Sequence, residues 1–276
     1  MKKVFKNVLP VTVVVSSVLI FTSACTNDAS SDKKNSSIKY EEKSYSIEAD
    51  KISKISLAAM DRSVDVVKSN DNEIHITYFE NDKEFYAINV SDEKSLIMQA
   101  KTDKELKDYV GLNSDKTHRN IKISVPRGIE SGIESGIEIK TSKGDINLSE
   151  VNISGSVEAT TSNGKIKASN VKNEKVFKVE TKNDDINLSN VDVKGSIDAS
   201  VSNGNLDIEK VAVDDALKLK SKNGSINGTI VGSYDVFSIS SQASKGKNNL
   251  PENKSGGDKK LDVNANNGDI DLKFVR

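Results

Sequence analysis

A turn that recurs every 20 residues constrains this chain more than any other feature. It reads Ser142-Lys143-Gly144-Asp145-Ile146, Ser162-Asn163-Gly164-Lys165-Ile166 and Lys182-Asn183-Asp184-Asp185-Ile186. It continues as Ser202-Asn203-Gly204-Asn205-Leu206 and Lys222-Asn223-Gly224-Ser225-Ile226. Two looser copies follow at 22-residue spacing, Ser244-Lys245-Gly246-Lys247-Asn248 and Asn266-Asn267-Gly268-Asp269-Ile270. A fixed short period marks a stacked-repeat architecture, since one such unit cannot bury its apolar face alone.

Between turns the apolar residues alternate with polar ones, as in Ile146 and Leu148, Val151 and Ile153, and Val157 and Ala159. That period of two reads as strand, and each run is too short for a helix. The registers repeat. One column holds Ile146, Ile166, Ile186, Leu206, Ile226 and Ile270; a second holds Val151, Val171, Val191, Val211 and Val231; a third holds Val157, Phe177, Ile197, Leu217 and Phe237. Columns of like residues are what parallel strands produce when coils stack in register. The turn glycines are expected where the chain needs positive φ, and Asp184, the one departure, is a residue type that tolerates that region. The expected fold is all-β, a single-stack parallel β-solenoid, β-helix-like, with coils of about 20 residues. The last strand, 270–274, is expected to leave an edge guarded by Asp271 and Lys273.

The outward positions are as regular. The residue after the turn glycine runs Asp145, Lys165, Asp185, Asn205, Ser225, Lys247 and Asp269, and a second column runs Glu158, Lys178, Asp198 and Lys218. Rungs of a ladder lie about 4.8 Å apart, so alternating signs attract. These columns read as solvated, sign-balanced ladders. A calcium site would need several acids converging, and the turns lack the Gly-Gly-x-Gly-x-Asp pattern of calcium-binding β-rolls.

The amino terminus supplies an address. Lys2, Lys3 and Lys6 precede an apolar stretch at 8–21, and Ser23 and Ala24 lead into Cys25. This is the layout of a secretory signal, shorter than an ordinary membrane span, with an ordinary signal peptide or an uncleaved anchor as the alternatives to a lipoprotein signal. Thr22-Ser23-Ala24-Cys25 resembles a bacterial lipoprotein box, with Thr22 where such boxes more often carry Leu; it implies cleavage after residue 24 and lipid on Cys25. As the only cysteine, Cys25 has no partner for an intramolecular disulfide. Two acyl chains would hold the protein stably at the cell membrane, on its extracytoplasmic face. Residues 25–44 are mostly Ser, Asn, Asp, Glu and Lys with little to bury, and read as a disordered tether.

The remainder divides into an irregular β part at 45–125 and the regular repeats at 126–276. In the first part, strands are expected at 52–57, 63–67, 74–78, 85–90, 95–99 and 121–125, with turns at Asn70-Asp71-Asn72 and Asn81-Asp82. A short helix is expected at 102–112. This part is expected to cap the amino end of the solenoid. Pro126 breaks the pattern, and a four-residue echo, Gly128-Ile129-Glu130-Ser131 and onward to Glu138, reads as a lead-in loop. Residues 245–260, with Pro251 and Gly256-Gly257, read as a protruding loop.

Chemistry finds little support. The only imidazoles are His75, expected outward on a strand, and His118, in a polar loop beside Arg119. A Ser–His–acid trio assembled from distant residues stays open, though with so many Ser and Asp such a trio means little. No Cys/His cluster suggests zinc, no Gly-rich phosphate loop precedes a helix, and no cofactor is expected. A carbohydrate-active enzyme on a β-helix would need converging acids and stacking aromatics. The chain has no Trp, 6 Tyr and 7 Phe, and Phe177 and Phe237 fall in an inward column. A net charge of −1 argues against nucleic acid.

The serial Ser/Thr-x-Gly-Asp-Ile turns, the strand Ile121-Lys122-Ile123-Ser124-Val125-Pro126 and the stretch Glu73-Ile74-His75-Ile76-Thr77-Tyr78 resemble a widespread family of bacterial envelope proteins, candidate adhesins of unknown function. The resemblance covers 46–276. It implies a β-solenoid outside the cell, companionship in some members with envelope stress regulators, and no catalytic residues. The expected function is that of a surface-anchored, non-catalytic envelope lipoprotein, an adhesin-like binding or scaffold protein. Its expected partners are the membrane, through the lipid, and a cell-wall polymer or an envelope membrane protein. The alternatives are an accessory to a stress-sensing system and, more remotely, the carbohydrate-active enzyme.

Overall fold

Aliphatic residues at every second position, flanked by polar ones, favour half-buried strands. The computed structural model describes residues 39–103, 118–126 and 133–276. The strands of the first stretch are β1 (Glu41–Glu48), β2 (Lys54–Ala58), β3 (Ser63–Lys68), β4 (Glu73–Glu80), β5 (Glu84–Val90) and β6 (Ser95–Thr102). Then come β7 (Asn120–Val125), β8 (Gly136–Lys143), β9 (Ile146–Ser149), β10 (Asn152–Ile153), β11 (Ser156–Asn163), β12 (Ile166–Asn173) and β13 (Phe177–Asn183). They are followed by β14 (Ile186–Val193), β15 (Ser196–Asn203), β16 (Leu206–Val213), β17 (Ala216–Asn223) and β18 (Ile226–Val231). The last four are β19 (Phe237–Ala243), β20 (Asn253–Lys254), β21 (Lys259–Asn267) and β22 (Ile270–Val275).

They form two eleven-stranded sheets. One runs β1-β4-β7-β3-β9-β12-β14-β16-β18-β22, with β10 beside β12; the other runs β5-β6-β2-β8-β11-β13-β15-β17-β21-β19-β20. Each regular coil gives one strand to each sheet, so the fold is all-β with parallel strands stacked coil on coil. At about 4.8 Å per rung the sheets extend roughly 45 Å. Their facing side chains make one continuous core, in which Phe177, Val179, Ile186 and Val191 are fully buried.

The first inward column stands as read: Ile146, Ile166, Ile186, Leu206, Ile226 and Ile270 are successive rung partners. The second departs at its end. A bulge sets Val211 against Ile230, so Val231 leaves the column. The third runs from Val157 through Phe177 and Ile197 to Leu217, and then meets Leu261 in place of Phe237.

That last change reflects a crossing of order. Strands β21 and β22 dock directly on β17 and β18 at an offset of 44 residues, as in Asn223 against Asn267, and β19 lies outside β21. The amino end is also out of order. Strands β2 and β3 stack on β8 and β9, with Ile55 against Ile137 and Val64 against Ile146, and β6 and β7 stack on β2 and β3 in turn. The parallel coils therefore extend into the 45–125 part. Antiparallel strands close that end, β4 pairing on β7, β1 on β4 and β5 on β6. Strand β1 begins at Glu41, so it takes in the last four residues of the expected tether.

The 245–260 segment does not protrude. Strand β20 pairs with β19, Leu250 is buried, and the Asn249 side chain donates to Asp271 Oδ1 at 3.0 Å and the Leu272 carbonyl at 2.9 Å. The Ile270 N–H donates to the Lys247 carbonyl at 2.8 Å, so the edge of β22 expected to be open is covered over its first residues. Cys25, the leader at 1–24, most of the tether, most of the 102–112 helix and residues 128–132 of the echo lie outside the described residues.

Candidate functional site

The turns show why the outward chemistry is so regular. At Gly204 a Cβ would sit 2.3 Å from the Asp184 carbonyl oxygen, and at Gly164 2.1 Å from that of Gly144. The glycines are thus required by the close approach of the turn beneath. Positive φ is not the common cause, because Gly164, Gly246 and Gly268 do not adopt it. Asp184 keeps its side chain at a φ of 111°, against 158° at Gly204. The left-handed corners lie elsewhere, at Glu150, Asn170, Asn190 and Lys210, again 20 residues apart with φ of 50° to 55°.

Each turn is bonded to the next. Thr181 Oγ1 donates to the Gly164 carbonyl at 2.9 Å, and Thr161 and Ser221 repeat the bond to Gly144 and Gly204. Asn183 donates to Asn163 Oδ1, Asn203 to Asn183, Asn223 to Asn203 and Asn267 to Asn223, at 3.0, 2.8, 2.7 and 2.6 Å. In the column after the glycine, Asp145 Oδ1 accepts the Lys165 N–H and Asp185 Oδ1 accepts that of Asn205, both at 2.9 Å. Asp207 Oδ1 accepts from Asn227 Nδ2 at 3.1 Å. Lys178 meets Glu158 at 3.1 Å and Lys218 meets Asp198 at 3.3 Å. The acids and amides of these columns hold coil to coil, and among the described residues no group of three His, Cys, Asp or Glu side chains is placed to hold a metal.

Two constellations lie in the amino-terminal part. On the outer face of β1 and β4, Ser46 Oγ is 2.8 Å from His75 Nδ1, and His75 Nε2 is 2.9 Å from Asp71 Oδ1. The Glu73 N–H, His75 and Ser69 hold the Asp71 carboxyl down at about 2. The sequence places His75 outward but does not reveal Ser46 and Asp71 as its neighbours, because the β1–β4 register sets Ser46 opposite His75. An acyl-transfer site also needs donors for a developing oxyanion. Strand β4 lies between β1 and β7, so its backbone N–H groups are directed into ladders on both sides, and the trio lies on an open face.

The second constellation surrounds Arg62, which is only 4% exposed. Its Nη2 meets Glu84 Oε2 at 3.1 Å, Glu84 also accepts the Tyr40 hydroxyl, and the guanidinium lies 5.6 Å from the Tyr40 ring centre. Burial, with Glu84 beside it, raises the Tyr40 pKa. His118, expected in a polar loop, stacks on Tyr40 at 6.0 Å and meets Phe79 edge-on at 5.0 Å. Arg62 carries no sequence signal, since nothing local marks it as buried.

The chain matches the model of the Toastrack DUF4097 family over residues 52–273. No curated protein sequence matches it. Among solved structures it is similar to a candidate cell adhesion protein from Clostridium sporogenes, 17% identical, over 86% of this chain and 100% of that one, with a TM-score of 0.30. It is also similar to a candidate adhesin from Bacteroides fragilis, 15% identical, over 84% of this chain and 97% of that one, with a TM-score of 0.40.

Proposed function

We propose, for a chain that belongs to the Toastrack DUF4097 family, the role of a non-catalytic binding or scaffold protein of the bacterial envelope. In this reading Cys25 carries lipid, the residues after it tether the body to the outer face of the cell membrane, and the coil stack presents a long surface to a cell-wall polymer or a neighbouring membrane protein. The observation that supports it most is the bonding of outward groups to one another, from Asn163 through Asn267 and from Asp145 to Lys165. Side chains committed rung to rung make a stiff surface of fixed spacing, suited to recognition along a length.

The reading is tested on cells. Cross-linking followed by pull-down should capture an envelope polymer or one membrane protein with the wild-type chain. Cys25→Ser should stop palmitate labelling and abolish that capture. One observation favours an enzyme instead, the Ser46–His75–Asp71 trio. Incubation with peptidoglycan fragments, polysaccharides and simple esters should give no product. Product that disappears with Ser46→Ala would replace the binding reading with a hydrolase.

A further inference from the structure

We propose that the outward face of β17, with β15 and β21 on either side, is a docking strip for a phosphodiester-linked polyol polymer. This rests on the envelope-binding reading and names the chemistry of one partner for it. Strand β17 alternates buried Leu217, Leu219 and Ser221 with outward Lys218, Lys220 and Lys222. Among the described residues no other strand carries three successive outward cations. On the neighbouring strand β13 the outward run is mixed in sign, with Glu180 between Lys178 and Lys182 and Lys178 paired to Glu158.

The three lysines are not equivalent. Lys218 lies between Asp198 and Asp262 and is neutralised by Asp198. Lys220 lies between Ser200 and Asn264. Lys222 occupies the next outward position, level with Ser202 and Asn266. Both Lys220 and Lys222 are exposed. Their nearest acid in the same columns is Glu180, two rungs from Lys220 and about 9.6 Å away, while Lys182 stands two rungs from Lys222 and adds a third cation.

An ammonium group binds phosphate as a point charge, and hydroxyl and amide donors beside it serve the remaining phosphate oxygens. Lys220 and Lys222 have backbone positions about 6.8 Å apart along the strand. That spacing suits successive phosphates of an extended polyol chain lying along β17. Single-stranded nucleic acid is disfavoured, because stacking platforms for bases are aromatic and the outward residues of β15, β17 and β21 include no aromatic.

The test uses the detergent-solubilised full chain and immobilised poly(glycerol phosphate), with polyglutamate and a single-stranded oligonucleotide as rival polyanions. Wild type should bind poly(glycerol phosphate) at low salt and weaken as salt rises. The double variant Lys220→Ser with Lys222→Ser should bind about tenfold more weakly, with an unchanged melting temperature. The control pair Lys167→Ser with Lys172→Ser, the same charge change on β12, should bind like wild type. Equal loss in both pairs, equal affinity for either rival, or no binding by wild type at low salt would each overturn the proposal. Capture of an envelope partner on cells by the Lys220/Lys222 double variant would leave the broader reading standing while this one fell.

Discussion

The coil at 54–68 and the coil at 136–149 are built alike, yet the repeat signature is present in the latter alone. Ile55 and Leu57 stack on Ile137 and Ile139, Val64 and Val66 stack on Ile146 and Leu148, and a short turn joins the two strands in each. The difference lies at that turn. Where the 136–149 coil has Gly144, the 54–68 coil has Arg62, whose carbonyl carbon would lie 2.5 Å from a Cβ on Gly144. Glycine is favoured where a turn rests on another turn, and Asp184, the exception, keeps a side chain there at a φ of 111°. Arg62 instead extends toward the closing hairpin, where Glu84 receives it. The repeat signature is therefore a record of close approach from below, and it fades where the neighbour changes even though the coil does not.

The largest effect should separate the middle of the stack from its end. Ile186 is fully buried, with coils on both sides. Ile186→Asp places an unpaired charge there and should cost at least about 4 kcal/mol, enough to threaten folding. Ile270 has a full strand partner on one side and the 247–249 segment on the other. Ile270→Asp should cost visibly less, because its neighbour can move aside. Urea unfolding of the two variants compares them, and equal losses would mean that this end is as tightly held as the middle.

Next is the turn itself. Gly204→Asn meets the Asp184 carbonyl and should cost about 3 kcal/mol, close to the cost of Gly204→Val, because the first side-chain atom already collides. If Asn were tolerated while Val was not, conformation would matter more than contact. At the equivalent place in the 54–68 coil, Arg62→Ala should cost roughly 2 to 3 kcal/mol by leaving Glu84, 18% exposed, without its guanidinium. The added loss of the Tyr40 contact would appear as earlier proteolysis ahead of β1, measurable by limited digestion.

These expectations also show what was legible. The column from Ile146 to Ile270 could be read because alternation and period both survive in sequence, and six strands of the first part, all but β1, could be placed one by one. The order of strands at the ends could not. Strand β19 has the length and alternation of any other, and nothing local indicates that β21 will enter beside β17 in its place. Left-handed corners at Glu150 and Lys210 were hidden by residue type, since neither is a usual choice there. The trio of Ser46, His75 and Asp71 depends on a register between strands that only the folded sheet defines.

The smallest effect tests the seam between the two kinds of coil. Glu138 on β8 receives Lys54 of β2 at 2.7 Å and Lys140 of its own strand. Those lysines, Lys140 first, hold its carboxyl at about 2, well below the ordinary 4.5. A carboxyl whose folded value is depressed stabilises the fold above its unfolded value and loses that contribution as pH falls through the folded one. The contribution is therefore complete above about pH 4.5 and gone near pH 2. Water still reaches the group, so Glu138→Gln should cost only about 0.5 to 1 kcal/mol at neutral pH. The variant and wild type should converge in stability on acidification through that window, as followed by urea midpoints at fixed ionic strength. The matching change at Glu158, inside the regular stack and ion-paired with Lys178, gives the comparison. A larger loss there than at Glu138 would show that the seam is held by its buried strands, with no special part for its ion pairs.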